Sequence, residues 1–263
     1  LVVDSTPPTL DFNHPADKSF LSLTSLNVTG TISDQNLQSY SASVTGATGQ
    51  ALNDSGDQSR SGYLFGSIKD IAEGDYIFSV QATDQGENST GFSRSFTIDR
   101  TPPKAVLDMP KTGGYYGADN NVIDISGSLI EKNLDRFSLR YGSGGTPTTW
   151  QELSGGVAIP LSSSQFSWKV GKDDGVPDGL YSISFHAKDK AGLEGEAKVK
   201  VIIDNTPPVV AFASLHDGGY VKGPIDVTGD LKDTNLDKGV LELAEGSCVV
   251  AAKWSPLRNF TAS

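Results

Sequence analysis

Gly74-Asp75-Tyr76-Ile77-Phe78-Ser79-Val80-Gln81-Ala82-Thr83-Asp84 and Gly179-Leu180-Tyr181-Ser182-Ile183-Ser184-Phe185-His186-Ala187-Lys188-Asp189 are two copies of one pattern. Tyr76, Phe78, Val80 and Ala82 occupy alternate positions, as do Tyr181, Ile183, Phe185 and Ala187. That two-residue period belongs to a strand with one face in a core. A second apolar run follows each copy, Phe96-Thr97-Ile98 and Val199-Lys200-Val201-Ile202-Ile203, and leads straight into Asp-x-Thr-Pro-Pro.

Outward from these strands the whole chain repeats. The junction string stands at Asp4-Ser5-Thr6-Pro7-Pro8, Asp99-Arg100-Thr101-Pro102-Pro103 and Asp204-Asn205-Thr206-Pro207-Pro208. Its periods, 99 − 4 = 95 and 204 − 99 = 105 residues, are too long for a solenoid and suit tandem small domains. After each junction comes a third motif: Val28-Thr29-Gly30-Thr31-Ile32-Ser33-Asp34-Gln35-Asn36-Leu37, Ile125-Ser126-Gly127-Ser128-Leu129-Ile130-Glu131-Lys132-Asn133-Leu134, and Val227-Thr228-Gly229-Asp230-Leu231-Lys232-Asp233-Thr234-Asn235-Leu236. From Ala-x-Asp to the next junction is 15 residues both times (99 − 84, 204 − 189), but the middle grows from 50 (84 − 34) to 58 (189 − 131). The excess is expected in the loop-like Tyr141–Pro147.

About seven short strands per repeat, turns supplied by 29 Gly and 13 Pro, and a tyrosine opening the penultimate strand predict an all-β fold. The expected architecture is tandem Ig-like Greek-key β-sandwiches, strung as beads on a rod. The expected domains are 1–99 (1–3 being the tail of a preceding repeat), 100–204, and a partial repeat 205–263. Only 59 residues follow Asp204 (263 − 204), leaving Val240, Leu241, Leu243, Val249, Val250 and Trp254 without a partner sheet, so the segment beyond about Leu236 is expected to be poorly ordered. Leu1-Val2-Val3-Asp4 carries neither initiator Met nor signal core, which reads as the interior of a longer chain.

Composition narrows function. Asp+Glu number 32 against 21 Lys+Arg, a formal charge of −11 with no basic stripe, which excludes a phosphate-backbone partner. No apolar run approaches the ~18 residues of a membrane span. The single cysteine, Cys248, excludes an intrachain disulfide. Catalysis has no foothold: His14, His186 and His216 lie apart, and no Gly-rich phosphate loop, HExxH or Gly-x-Ser-x-Gly occurs.

The junction string, with Ala187-Lys188-Asp189-Lys190-Ala191-Gly192 and its counterpart Ala82-Thr83-Asp84-Gln85-Gly86, one residue short, resembles the tandem bacterial Ig-like repeats of large surface and adhesin proteins. That resemblance implies a non-catalytic stalk or adhesion scaffold, bacterial, extracellular or on the cell surface. Its implied partners are the neighbouring domains of the same chain and a host or cell-surface protein or glycan.

The acids follow the repeat. In an Ig-type sandwich the first strand begins at the end where the second-to-third and sixth-to-seventh loops turn. Asp99, Glu131, Asn133 and Asp189 therefore gather at one end of repeat two, facing Asp70 and Glu73 of repeat one, and Asp204, Asp233 and Asn235 face Asp173, Asp174 and Asp178. Convergent carboxylates and amides suit a hard cation, since Ca²⁺ takes six to eight oxygens. The resemblance implies the same, because cadherins and some adhesins stiffen junctions with calcium. The competing reading is turn chemistry, in which Asp-x-Asn-Leu is an Asx-turn and nothing more. Thr-Pro-Pro holds an extended approach to the first strand, either stiffening the junction or merely starting a strand. A glycan-binding module attached to an exported enzyme is the alternative, with Tyr115, Tyr116 and Tyr220 as sugar-stacking candidates. Trp150, Trp168 and Trp254 have no partner in repeat one, which speaks against a repeated sugar platform.

Overall fold

A computed structural model describes residues 3–156, 166–245 and 254–261. The first repeat contains β1 (Thr9–Asp11), β2 (Ser19–Leu21), β3 (Leu26–Ser33), β4 (Leu37–Gly46), β5 (Gly49–Gly56), β6 (Arg60–Ile68), β7 (Gly74–Asp84) and β8 (Ser89–Ile98). They form a three-stranded sheet, β1-β3-β6, and a five-stranded sheet, β2-β8-β7-β4-β5. The second repeat has β9 (Lys104–Met109), β10 (Gly114–Tyr116), β11 (Val122–Ile130), β12 (Leu134–Ser143), β13 (Gln151–Gly156), β14 (Phe166–Lys169), β15 (Gly179–Asp189) and β16 (Glu194–Ile203). Its sheets, β14-β11-β9 and β10-β16-β15-β12-β13, repeat the same topology, including a short edge strand parallel to the last strand in each. This is the Ig-like β-sandwich, twice.

The alternating residues build separate cores. Phe78, Val80 and Ala82 of β7 pack with Val28, Ile32, Phe65 and Phe96, while Ile183, Phe185 and Ala187 of β15 pack with Ile123, Ile125, Trp168 and Val201. Gly74 and Gly179 open their strands at φ 145 and 148°, which a side chain would resist. Two residues on, Tyr76 Oη donates to Ala72 O (3.0 Å) and Tyr181 Oη to Pro177 O (2.9 Å), the tyrosine corner of each sandwich. The glycine of the middle motif lets the first strand lie close: a Cβ on Gly127 or Gly229 would collide with the carbonyl of Val106 or Ala211, and one on Gly30 with the Phe12 ring.

The repeats differ where the chain lengthens. Repeat one turns from β4 to β5 through Ala47 and Thr48, whereas repeat two takes 144–150, and the β14–β15 connection is also longer, carrying a short 3₁₀ turn, Lys172–Asp174. Among the described residues, two loops thus carry extra length. The first of them covers the outer face of β15: Ser182 Oγ donates to Gly144 O (2.8 Å), and Trp150 lies against Arg140 and Lys198. Ser182 and Ser184, on the polar phase of the strand, are consequently buried.

The last segment has β17 (Val209–Phe212) paired with β18 (Gly229–Lys232), and β19 (Lys238–Leu243) paired with β20 (Ser255–Thr261). Beyond Leu236, the segment expected to be poorly ordered, β19 and β20 pair in an antiparallel ladder, and Val240, Leu243 and Trp254 remain exposed. Val249 and Val250 lie outside the described residues. No helix among the described residues is long and apolar enough to cross a membrane.

Candidate metal centre

Asp99 and Asp204 are each bound to the repeat on either side. The Asp99 N–H donates to Leu21 O of repeat one (3.0 Å), while its Oδ2 accepts from Asn133 Nδ2 of repeat two (2.7 Å). Asp204 repeats this one domain later, with its N–H on Tyr116 O (2.8 Å) and its Oδ2 on Asn235 Nδ2 (2.7 Å). Asp4 Oδ2 accepts likewise from Asn36 Nδ2 (2.9 Å), and this amide, with the Thr6 N–H, holds the Asp4 carboxyl below its ordinary range. Turn chemistry is present too: the N–H groups of Asn36, Asn133 and Asn235 donate to Asp34 Oδ1, Glu131 Oε1 and Asp233 Oδ1 at 2.6–2.7 Å.

Around these turns carboxylates converge. One oxygen each from Asp99, Glu131 and Asp189 lies within 4.8 Å of the others, and Asp4, Asp34 and Asp84 make the same group in repeat one. Asp84, Asp99 and Asp189 are 0%, 6% and 1% exposed. At that separation each pair of charges repels by roughly 3 kcal/mol at an effective dielectric near 20. Asp204 and Asp233 meet through Asn235, with no third carboxylate among the described residues.

The two complete clusters close differently. In the loop after β7, Asn88 N donates to Asp84 Oδ1 and Asn88 Nδ2 to Asp84 Oδ2, both at 2.8 Å, and Nδ2 also reaches Asp4 O (3.1 Å). In repeat two the corresponding residue is Leu193. Its N–H donates to Asp189 Oδ1 (2.8 Å), but Asp189 Oδ2 is buried with no hydrogen-bond partner. A buried carboxylate oxygen left unpaired is costly. An oxygen-only donor set with one orphaned member fits a hard cation, which Asp99, Glu131 and Asp189 would hold.

The acids expected to face these clusters do other work. Glu73 accepts from the Arg100 N–H (2.8 Å) and the Thr101 hydroxyl (2.9 Å), and Asp178 from the Asn205 N–H (2.7 Å) and the Thr206 hydroxyl (2.6 Å). The Thr206 hydroxyl first, then the Asn205 N–H, lowers the Asp178 carboxyl. Arg100 adds guanidinium bonds to Leu23 O and Ile71 O. These residues clasp Asp-x-Thr and do not join the cluster. Asp174 caps the Gly171 N–H (2.9 Å), and Asp70 and Asp173 are exposed, outside the group. The Asp4–Asp34–Asp84 cluster escaped sequence reasoning, which looked for acids facing each other across a junction. Its signal was already there, since Asp4, Asp34, Asn36 and Asp84 occupy the same motif positions as Asp99, Glu131, Asn133 and Asp189.

Among the aromatics, Trp168 is core and Tyr116 packs against it, while Tyr115 and Tyr220 are exposed on different repeats. His186 lies 3.4 Å from Glu194 on the sheet face.

Fold and junctions together define a run of Ig-like β-sandwich repeats. No protein-family model and no curated protein matches the chain. Several solved structures are similar in fold. The fibronectin(III)-like modules of Clostridium thermocellum CbhA share 14% identity at a TM-score of 0.41, over 75% of this chain and 95% of theirs. The tetra-tandem repeat from the extending region of a large adhesion protein shares 13% at 0.37, over 98% of this chain and 65% of that one. A marsupial T cell receptor shares 11% at 0.45, over 90% and 85%.

Proposed function

We propose that this chain is a non-catalytic stalk segment of a bacterial surface or secreted protein, a semi-rigid series of Ig-like domains whose junctions are stiffened by calcium. The observation that carries this reading is the junction aspartate, bonded through its backbone to one repeat and through its side chain to the next, at Asp99 and again at Asp204. Glu73 and Asp178 support it from the other side by clasping the threonine that follows. A linker held at both ends resists bending, and strands of about ten residues at ~3.4 Å make each sandwich roughly 35 Å long, so repetition builds reach. Partners in this reading are neighbouring domains and a surface protein or glycan at the far end of the stalk.

Small-angle scattering of the chain in chelator and in millimolar Ca²⁺ tests it. The expected result is an elongated particle whose flexibility decreases with Ca²⁺. A compact particle would overturn the stalk, and an ion-independent profile would overturn the calcium. Binding on a glycan array through Tyr115 or Tyr220 would favour the carbohydrate-binding alternative.

A further inference from the structure

Resting on the junction-cation reading, we infer that the two carboxylate clusters are not equivalent: Asp99, Glu131 and Asp189 form a site for a hard divalent cation, whereas in repeat one the Asn88 amide takes the ion's place. The loops correspond residue for residue. Asp84 N donates to Asn88 O and Asp189 N to Leu193 O (3.0 Å each), and Gln85 N and Lys190 N donate to Asn36 O and Asn133 O (2.8 and 2.9 Å). Asn88 and Leu193 therefore occupy one position with opposite chemistry.

In repeat one the Asn88 NH₂ bridges Asp84 Oδ2 and the backbone oxygen of Asp4, presenting its positive end between the Ala-x-Asp carboxylate and the junction residue. A cation entering there has to displace it. Leu193 has no donor to offer, and Asp189 Oδ2 stays buried and unpaired. No Lys or Arg among the described residues pairs with Asp99, Glu131 or Asp189. Lys190, in the same loop, lies instead over the Phe20 ring of repeat one, 5.1 Å from its centroid. Three carboxylates bring three negative charges and one oxygen each to a common point, hard donors of the kind Ca²⁺ takes in preference to thiolates. Asp99 is both a member of this group and bonded to Leu21 of repeat one, so an ion here couples the two repeats.

Calorimetric titration of the chelator-stripped chain with CaCl₂, with hydrogen exchange to locate the ion, tests the inference. The expected result is uptake that raises protection around residues 184–203 and leaves 79–98 unchanged. Leu193→Asn, which supplies repeat two with the missing amide, weakens that uptake tenfold or more, and Asn88→Leu creates a second site in repeat one. Leu193 lies outside the repeat-two core, so the first substitution leaves the fold intact. Asp189→Asn, nearly isosteric, abolishes uptake at repeat two and checks the same point independently. Equal uptake by both repeats, or undiminished binding in Leu193→Asn, would overturn the inequality while leaving the junction-cation reading in place. No uptake by the wild-type chain overturns both.

Discussion

Repeats one and two build the same turn after the penultimate strand, hydrogen-bonded to the same motif asparagine, yet one turn presents Asn88 and the other Leu193. The first turn satisfies both oxygens of its buried aspartate from within; the second satisfies one. A single side chain thus separates a self-sufficient acidic cluster from one with an open valence. The comparison extends to the outer sheet face, where the long β12–β13 loop bonds Ser182 and lays Trp150 against Arg140 and Lys198, which both pair with Glu196, whereas in repeat one Gln81 pairs with Gly91 where His186 pairs with Glu196.

The largest effect is expected at the middle-motif glycines. Gly127→Ala should cost about 3 kcal/mol, because the new methyl meets the immovable Val106 carbonyl. Gly30→Ala should cost less, about 2 kcal/mol, because its methyl would meet the movable Phe12 ring and a backbone carbonyl, that of Asp11, only at 2.7 Å, farther off than the Val106 carbonyl would lie from the methyl at Gly127. Urea unfolding followed by hydrogen exchange in each repeat measures both, and equal losses would show that the closer approach of the Val106 carbonyl does not set the cost.

Asn88→Ala comes next. In chelator it leaves Asp84 Oδ2 buried without a donor, so repeat one should lose about 2 kcal/mol. Leu193→Ala, which breaks no side-chain hydrogen bond, should cost repeat two well under half of that. Similar losses in the two repeats would end the contrast drawn between the loops.

The backbone of the turns offers a smaller test. Glu87 (φ 66°) and Gly192 (φ 88°) hold the same left-handed position. Gly192→Ala should therefore destabilise repeat two by about 1 kcal/mol, and Glu87→Gly should stabilise repeat one by a few tenths to about 1 kcal/mol, read as opposite shifts in thermal midpoint.

The smallest effect is one of pH. Burial raises the Glu196 carboxyl, but hydrogen bonds from Lys198, Ser184 and Arg140 outweigh it and lower the value from 4.5 to about 2. A group depressed on folding contributes stability above its unfolded value and loses it as pH falls through the folded one. The difference between wild type and Glu196→Gln should be about 1 kcal/mol at pH 6, as for a partly exposed ion-pair network, and should fade between pH 4.5 and 2. Denaturant midpoints across that range check it; a constant difference would mean that the charge contributes nothing.

Much of the fold was legible because alternation is local. Tyr76, Phe78, Val80 and Ala82 mark their strand without reference to anything distant, and Gly-x-Tyr marks the corner. Two things were not legible. Ser182 and Ser184 sit on a polar phase whose burial depends on where a separate loop folds. The turn after Asp84 looked one residue short because Gly86 was matched to Gly192; the structure places Glu87 in the left-handed position, so the turns are equal in length.

The same division runs through the candidate site. Residue types and their spacing by themselves determined that Asp99, Glu131, Asn133 and Asp189 recur in register with the repeat, since a motif's order is a property of the chain alone. Only the tertiary structure decided that Glu73 and Asp178 clasp the threonine instead of joining the acids, that Asp4, Asp34 and Asp84 form a matching cluster, and that Asp189 keeps an oxygen unpaired. A carboxylate's partner is whichever donor the sheets bring within about 3 Å, and strand pairing across tens of residues sets that distance.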